Sequence, residues 1–246
     1  MKRTLATLCL LLGAAGAWGS EGTIPLEQAH SSIDDLASLQ SGARIFVNYC
    51  LSCHSASYMR YNRMAKDLHL TDAMVQDNLM FTTDKIVNTM QVAMRSTDAL
   101  KWFGVAPPDL SVIARARGTD WLYSFLLGFY EDPARPTGVN NLVFKDTAMP
   151  HVLIGLQGVQ RPVYRTETDQ FGEQHKVIER LELMSAGQLS DTDYRRTIRD
   201  LVNFLNYVGE PAKLQRLALG KWVLLYLFVL LIVAYRLKAE YWKDVH

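Results

Sequence analysis

Two thiols and an imidazole lie close together in the segment Cys50-Leu51-Ser52-Cys53-His54. This spacing is the attachment pattern of a c-type haem, in which each thiol adds to one vinyl group of the porphyrin. The short turn between the cysteines has to match the separation of the vinyl groups, and the following histidine is then held where a ring nitrogen can bind the iron. The segment therefore predicts one covalent haem c, attached through Cys50 and Cys53, with His54 as an iron ligand.

A CxxC pair has two other common uses, in zinc sites and in dithiol redox centres. Structural zinc is usually bound by four ligands that include several thiolates, whereas the chain has three cysteines. One of them, Cys9, lies in a segment that is predicted to be removed. A thioredoxin-like pair would follow a clear strand, and the sequence before Cys50 contains none. Haem attachment is the favoured interpretation, and zinc or disulfide chemistry remain the alternatives.

The charge of the chain limits its partners. The 246 residues include 26 basic and 25 acidic side chains, a formal net charge of +1. Such a balance offers no bulk electrostatic attraction to nucleic acid, so we expect no nucleic-acid partner.

The first residues have the organisation of a secretory signal. A basic start precedes an apolar run at 5–13 and then small residues up to Gly19, which is the order that a signal peptide shows. The run is too short to span a bilayer. We predict a signal peptide at 1–19, with lipid modification of Cys9 as the alternative. Export agrees with the haem motif, because c-type haem is attached outside the bacterial inner membrane.

The C-terminal apolar segment 217–235 is long enough to span a membrane. Twelve of its nineteen residues are Leu, Ile, Val or Phe, and Lys221 is its single charge. As a helix it would span about 28 Å, close to the hydrocarbon thickness of a bilayer. The alternative is a buried core helix. Basic residues follow the segment at Arg236, Lys238 and Lys243, as the positive-inside rule expects. Basic residues also flank its outer end, so the predicted cytoplasmic C-terminus depends mainly on the signal peptide.

These segments divide the chain into four predicted parts. After the signal peptide at 1–19 we expect a periplasmic domain at 20–212, a transmembrane anchor at 213–236 and a cytoplasmic tail at 237–246. The protein would then lie in the bacterial inner membrane as a single-pass protein.

A second iron ligand is predicted in the segment Ala148-Met149-Pro150-His151. Proline discourages helix at the residue before it and holds that backbone extended. A methionine thioether is a ligand that raises the reduction potential of a haem. Met149 is therefore the preferred ligand, with His151 and Met184 as alternatives. With both axial positions filled, the haem would carry electrons and would not activate oxygen.

Periodicity and turn residues predict the remaining elements. A helix is expected at 41–50, with Gly42 allowing a second helix to approach closely, and an amphipathic helix is expected at 191–208. The other predictions are an irregular arm at 21–40, helices at 58–70 and 71–98, a helix capped by Asp109, a buried helix at 121–130, a loop at 131–146 and a small hairpin within 161–180.

Four motifs and the C-terminal anchor make the chain resemble the cytochrome c1 family, the haem-bearing subunits of the cytochrome bc1 complex. The motifs are CLSCHS at 50–55, APPDLSVIARARG at 106–118, PTGV at 136–139 and AMP at 148–150. CxxCH alone indicates only a c-type cytochrome, whereas the PPDLS and RAR run is more specific. The resemblance extends from about Gly42 to the C-terminus.

The resemblance implies a mostly α-helical fold. It would be an enlarged cytochrome c-type haem domain with a small hairpin and one C-terminal transmembrane helix, in which the helix at 191–208 crosses the helix at 41–49. His54 and Met149 would be the axial ligands. Pro108, Arg117 and Trp121 would line the haem, with Arg117 near a propionate, while a similar contact of Arg115 is left open.

The resemblance also implies a function. The chain would be a non-catalytic electron-transfer subunit of a quinol–cytochrome c reductase. It would pass electrons from the Rieske iron–sulfur protein to a cytochrome c, and its other partners would be cytochrome b and membrane lipid. Two alternatives are a tail-anchored electron shuttle without these partners, and a haem enzyme or sensor with an open coordination site.

Overall fold

Nine α-helices and three short antiparallel sheets form the part of the chain that the structure, a computed structural model, describes: residues 25–168 and 171–244. The helices are α1 (Leu36–Ile45), α2 (Tyr61–Asp67), α3 (Asp72–Leu79), α4 (Ser96–Phe103), α5 (Ile113–Arg117), α6 (Thr119–Leu127), α7 (Ile154–Gln157), α8 (Asp191–Gly209) and α9 (Lys213–Tyr241). The strands are β1 (Ala56–Arg60), β2 (Thr89–Met90), β3 (Phe129–Glu131), β4 (Val139–Asn141), β5 (Gly158–Thr168) and β6 (Gln174–Ala186), paired as β1–β2, β3–β4 and β5–β6. The predicted fold class is confirmed, and the predicted signal peptide at 1–19 lies outside the described residues.

The core is organised by the packing of α1 against α8. Helix α8 is amphipathic, as predicted, and the apolar residues of one face are buried: Tyr194, Ile198, Leu201, Val202, Leu205 and Val208. Ser190 begins this helix, because its hydroxyl accepts a hydrogen bond from the Asp193 backbone amide at 3.1 Å. Directly after α1, Phe46 packs on Phe204 of α8 with their ring centroids 5.6 Å apart.

Gly42 lies where the two helices cross. A β-carbon placed on Gly42 would be 2.1 Å from the Asp200 carbonyl oxygen and 2.7 Å from the Phe204 β-carbon. The first of these atoms belongs to the backbone, so the helices would have to move apart to admit even a methyl group. The predicted close approach at Gly42 is confirmed.

We expect Gly42→Ala to lower the free energy of unfolding by about 1–3 kcal/mol or more, the usual cost of overpacking a core. Gly155→Ala is the matched control, because a β-carbon there would lie more than 4 Å from the neighbouring atoms of the described residues. Thermal denaturation of the detergent-solubilised protein measures both variants. Equal midpoints for the two would contradict the tight crossing.

Several predicted boundaries in the N-terminal half are wrong. The irregular arm ends earlier than residue 40, because Asp35 caps α1 by accepting a hydrogen bond from the Ser38 amide at 3.1 Å. Residues 58–60 are in strand β1, which pairs with β2, and the predicted helix at 71–98 is broken into α3, β2 and the start of α4. These pairings join residues about thirty positions apart, which local periodicity does not report.

Two further boundaries differ around the middle of the chain. The helix predicted at 121–130 ends at Leu127, and the next residues form β3. Strand β3 pairs with β4, which lies inside the segment predicted as a loop at 131–146, through the register Phe129↔Asn141 and Glu131↔Val139. The helix expected to start at Asp109 starts at Ile113.

The hairpin β5–β6 is longer than predicted. It pairs Gly158 with Ala186 at its base and Thr168 with Gln174 near its tip. Ion pairs between charged side chains lie on its surface, for example Arg180 Nη2 with Glu182 Oε1 at 2.6 Å.

Helix α9 has the length and composition of a membrane span. Its 29 residues give a length of about 43 Å. None of its most apolar 18-residue window is buried against the rest of the described chain. The alternative of a buried core helix is therefore wrong.

Candidate functional site

The CxxCH segment forms a tight turn directly after α1. A π-helical segment, Phe46–Cys50, continues α1 to the first cysteine. The amides of Cys53 and His54 then both donate to the Cys50 carbonyl, at 3.0 and 2.8 Å. This turn brings the two thiols and the imidazole to the same cavity.

The environment of Cys50 disfavours thiolate chemistry. Its side chain is buried, and this burial, with the charge of Cys53 as a smaller cause, raises the pKa of the Cys50 thiol to about 12. Thiol–disulfide exchange uses the thiolate. The neutral buried Cys50 thiol therefore weighs against a dithiol redox role of the CxxC pair.

His54 is oriented by a backbone carbonyl. Its Nδ1 atom lies 2.8 Å from the Pro108 oxygen, and a carbonyl oxygen only accepts, so Nδ1 carries the proton. The Nε2 atom is then unprotonated, which is the form that binds a metal. Burial lowers the pKa of His54, while the Pro108 hydrogen bond and the Asp109 charge act in the opposite direction.

The loop that supplies this carbonyl is fixed by Asp109. The Asp109 carboxylate accepts from the amides of Ser57 at 3.0 Å and Ser111 at 2.8 Å. Burial acts to raise the pKa of Asp109, but hydrogen bonds from the side chains of Ser111 and Ser57, and then from their amides, outweigh it and hold the pKa below its usual value. Asp109 therefore ties its loop to the residues after CxxCH, and the prediction that it caps a helix is wrong.

A cavity of about 520 Å³ lies next to this turn. Its volume falls in the range of roughly 300–1,000 Å³ that small-molecule and cofactor sites have. All seven site residues predicted from the sequence line it: Cys50, Cys53, His54, Pro108, Arg117, Trp121 and Met149. Apolar side chains that were not predicted to line the haem complete the walls, among them Phe103, Ile113, Phe125, Phe144, Leu201 and Leu205. A large apolar cavity with two thiols and an imidazole in its wall fits a covalently attached haem.

The three candidates for the second iron ligand occupy different places. Met149 is half-buried and lines the cavity. The buried ring of His151 stacks on Phe129, with centroids 4.8 Å apart and planes 3° apart. Met184 is 53% exposed on β6. Of these three side chains, Met149 is the one that lines the cavity.

The two arginines of the RAR run, Arg115 and Arg117, lie in different surroundings. The Arg117 guanidinium lies 5.1 Å from the Trp121 ring centroid, close enough for a cation–π contact, and both residues line the cavity. Arg115 lies instead against the end of α8, where a β-carbon on Gly209 would be 3.3 Å from its Cγ. Of these two arginines, Arg117 is therefore the one that lines the cavity.

Sequence reasoning missed the pair Asn140 and Asn141, which it treated as a loop marker. Both side chains are buried, at 3% and 1% exposure. Asn141 donates to the Phe125 carbonyl at 2.7 Å and accepts from the Val143 amide at 2.9 Å. Asn140 accepts from the Asp146 amide at 2.8 Å. The pair thus folds the segment leading to Met149 onto the cavity, and no local signal distinguishes such buried asparagines from ordinary turn residues.

Comparison with known proteins gives matches that cover most or all of the chain. The model of the cytochrome C1 family matches residues 27–245. A cytochrome c1 of Allochromatium vinosum is 46% identical over 246 residues, which cover all of both chains. A protein of Nitrosomonas europaea named ammonia monooxygenase gamma subunit is 44% identical over 97% of each chain. A mitochondrial cytochrome c1 of Schizosaccharomyces pombe is 24% identical, over 86% of this chain and 68% of that protein.

Proposed function

The chain belongs to the cytochrome c1 family, and on that premise we propose that it relays single electrons from a Rieske iron–sulfur protein to a cytochrome c. Members of this family are haem-containing electron-transfer subunits of the bc1 complex, a quinol–cytochrome c reductase. The predicted resemblance is confirmed at the level of the family. Within such a complex the proposed partners are cytochrome b, the Rieske protein and the cytochrome c acceptor, and this subunit performs no bond chemistry.

One observation carries the proposal: a single cavity is lined by Cys50, Cys53, His54 and Met149. A covalent haem c with histidine and methionine ligands supplies reversible one-electron chemistry. The thiols would hold it, and His54 would present the nitrogen that the Pro108 hydrogen bond leaves unprotonated.

The other cavity residues set the surroundings of the redox centre. Apolar walls exclude water and lower the local dielectric, which strengthens the charge interactions that remain. The Arg117 side chain supplies a planar cation suited to a haem propionate, because its fork binds a carboxylate through two parallel hydrogen bonds. The neutral Met149 sulfur would stabilise ferrous iron and so raise the reduction potential.

The proposed location follows from the two ends of the chain. We propose that 1–19 is a cleaved signal, 20–212 a periplasmic domain, 213–236 the anchor in the bacterial inner membrane and 237–246 a cytoplasmic tail. The exposed apolar surface of α9 supports an anchor. Basic residues flank both ends of the apolar stretch, so the proposed cytoplasmic C-terminus depends on export of the N-terminal part by the signal.

Purification from native membranes tests the proposed place of the subunit. We expect the chain, tagged at its C-terminus and solubilised in mild detergent, to bring down a dihaem cytochrome b and a Rieske protein in amounts near its own. Mass spectrometry and haem spectra identify them. One relative bears the name of an ammonia monooxygenase subunit. The proteins that purify with the chain therefore distinguish a bc1 complex from an ammonia monooxygenase assembly. A haem-loaded chain that purifies alone would support the tail-anchored shuttle and contradict the proposal.

A further inference from the structure

A buried imidazole lies two residues beyond the proposed methionine ligand. His151 is 8% exposed, and within the described part of the chain its buried Nε2 atom makes no hydrogen bond of good geometry. The Gln157 side chain on α7 is its polar neighbour, and Gln157 Oε1 is likewise buried without a hydrogen bond of good geometry. A hydrogen bond of poor geometry is weak. The ring nitrogen therefore contributes little to fixing the position of His151.

The ring itself has a well-defined contact. It lies parallel to Phe129, 3° between planes and 4.8 Å between centroids, and Phe129 is 1% exposed. Phe129 in turn meets Phe125 edge to face at 5.1 Å, and Phe125 stacks on Trp121 at 5.1 Å. We call these four rings, His151, Phe129, Phe125 and Trp121, the aromatic column. Because Phe125 and Trp121 line the cavity, the column joins His151 to the cavity wall.

The chain between His151 and the ligand is short and stiff. Two residues span at most about 7 Å, and Pro150 between them has a fixed φ. On the other side of Met149, the Thr147 hydroxyl accepts from the Met149 amide at 3.3 Å. The carbonyl of His151 accepts from the Ile154 amide at 3.1 Å, where the chain turns into α7. Fixing His151 therefore fixes where the Met149 backbone enters the cavity.

We propose that His151 is a positioning residue, whose stacked ring holds the Met149 segment so that the thioether stays at the iron. The proposal rests on the proposed function, because the role of Met149 as ligand belongs to it. Because the flat ring does the positioning, a phenyl ring at position 151 should keep the Met149 segment in place. An aliphatic side chain of similar volume should not.

Displacement of Met149 by imidazole measures this directly. The apparent affinity of ferric protein for added imidazole is the intrinsic affinity scaled by the fraction of molecules in which the sixth position is open. Losing one aromatic pair should raise that fraction, and hence the apparent affinity, roughly three- to tenfold. We expect this rise in His151→Leu and in Phe129→Leu, and wild-type affinity in His151→Phe. A residue that only stabilised the fold would shift the denaturation midpoint and leave the imidazole affinity unchanged.

Three further variants make the outcome decisive. His175→Leu is the matched control, an exposed histidine on β6, and should bind imidazole as the wild type does. Wild-type affinity in His151→Leu would overturn the positioning role, and raised affinity in His151→Phe would overturn the ring-stacking mechanism. Met149→Leu separates the two proposals: if it leaves both the imidazole affinity and the methionine–iron absorption band unchanged, the ligand assignment itself fails. Phe129→Ile repeats the test if the leucine variants do not accumulate, because a β-branched side chain suits the strand β3.

Discussion

Alanine at both Cys50 and Cys53 should yield a polypeptide that keeps no haem after denaturation. The two thiols are the sole covalent links of the proposed attachment, and unfolding removes the cavity walls and the axial ligands together. After denaturing gel electrophoresis the wild type should stain for haem peroxidase activity at the position of the chain, and the double variant should give no stain. Intact-mass measurement checks the same result, because only the wild type should carry the mass of a haem.

Matched variants make this test specific. Ser52→Ala changes the exposed residue between the two cysteines and should keep full staining. Each single cysteine variant should keep less haem than the wild type, since one thioether remains possible. A wild-type chain without covalently retained pigment would remove the basis of the proposed function, and undiminished staining of the double variant would show that the haem is attached elsewhere.

Leucine in place of Met149 should open the sixth coordination position of the iron. Leucine has no donor atom, so the methionine–iron charge-transfer band should disappear and the reduced protein should bind carbon monoxide, which the wild type should resist. Loss of the thioether also removes its preference for ferrous iron. A hundredfold loss of that preference corresponds to a fall of about 120 mV in the reduction potential of a one-electron couple. Absorption spectra and a redox titration measure these changes.

Met184→Leu is the control for this variant, because Met184 is an exposed methionine on β6. Its spectrum, carbon monoxide resistance and potential should match the wild type. If the band is lost in Met184→Leu and kept in Met149→Leu, the ligand loop has been misassigned. A wild-type protein that binds carbon monoxide readily would instead support a haem enzyme or sensor with an open site.

The features that could be predicted well from the sequence are those that depend on residues close together in the chain. The CxxCH segment, the amphipathic face of α8 and the apolar length of α9 each depend on spacing within a few turns. Gly42 was also recognisable, because a glycine on the apolar side of a helix suggests a close neighbour. The family resemblance then supplied Pro108, Arg117 and Trp121, all of which line the cavity.

The features that it predicted poorly depend on contacts between distant residues. Asp109 was expected to cap a helix, yet its carboxylate accepts from Ser57, 52 positions away. The buried roles of Asn140 and Asn141 depend on the carbonyl of Phe125 and on the fold of their own loop. Neither role is visible in local propensity, since Asp and Asn favour turns and caps wherever they occur.

The junction between α8 and α9 has a mechanical consequence. Only residues 210–212 separate the two helices, a link of at most about 11 Å. An ion pair between Arg216 and Glu210, with 2.5 Å between its atoms, further restricts the movement of this link. With α9 embedded in the bilayer as proposed, the short link would hold α8, and the CxxCH turn that packs near it, at a nearly constant distance from the membrane surface. The redox centre would then stay fixed relative to the membrane, and any movement needed for electron transfer would have to be made by the donor and acceptor proteins.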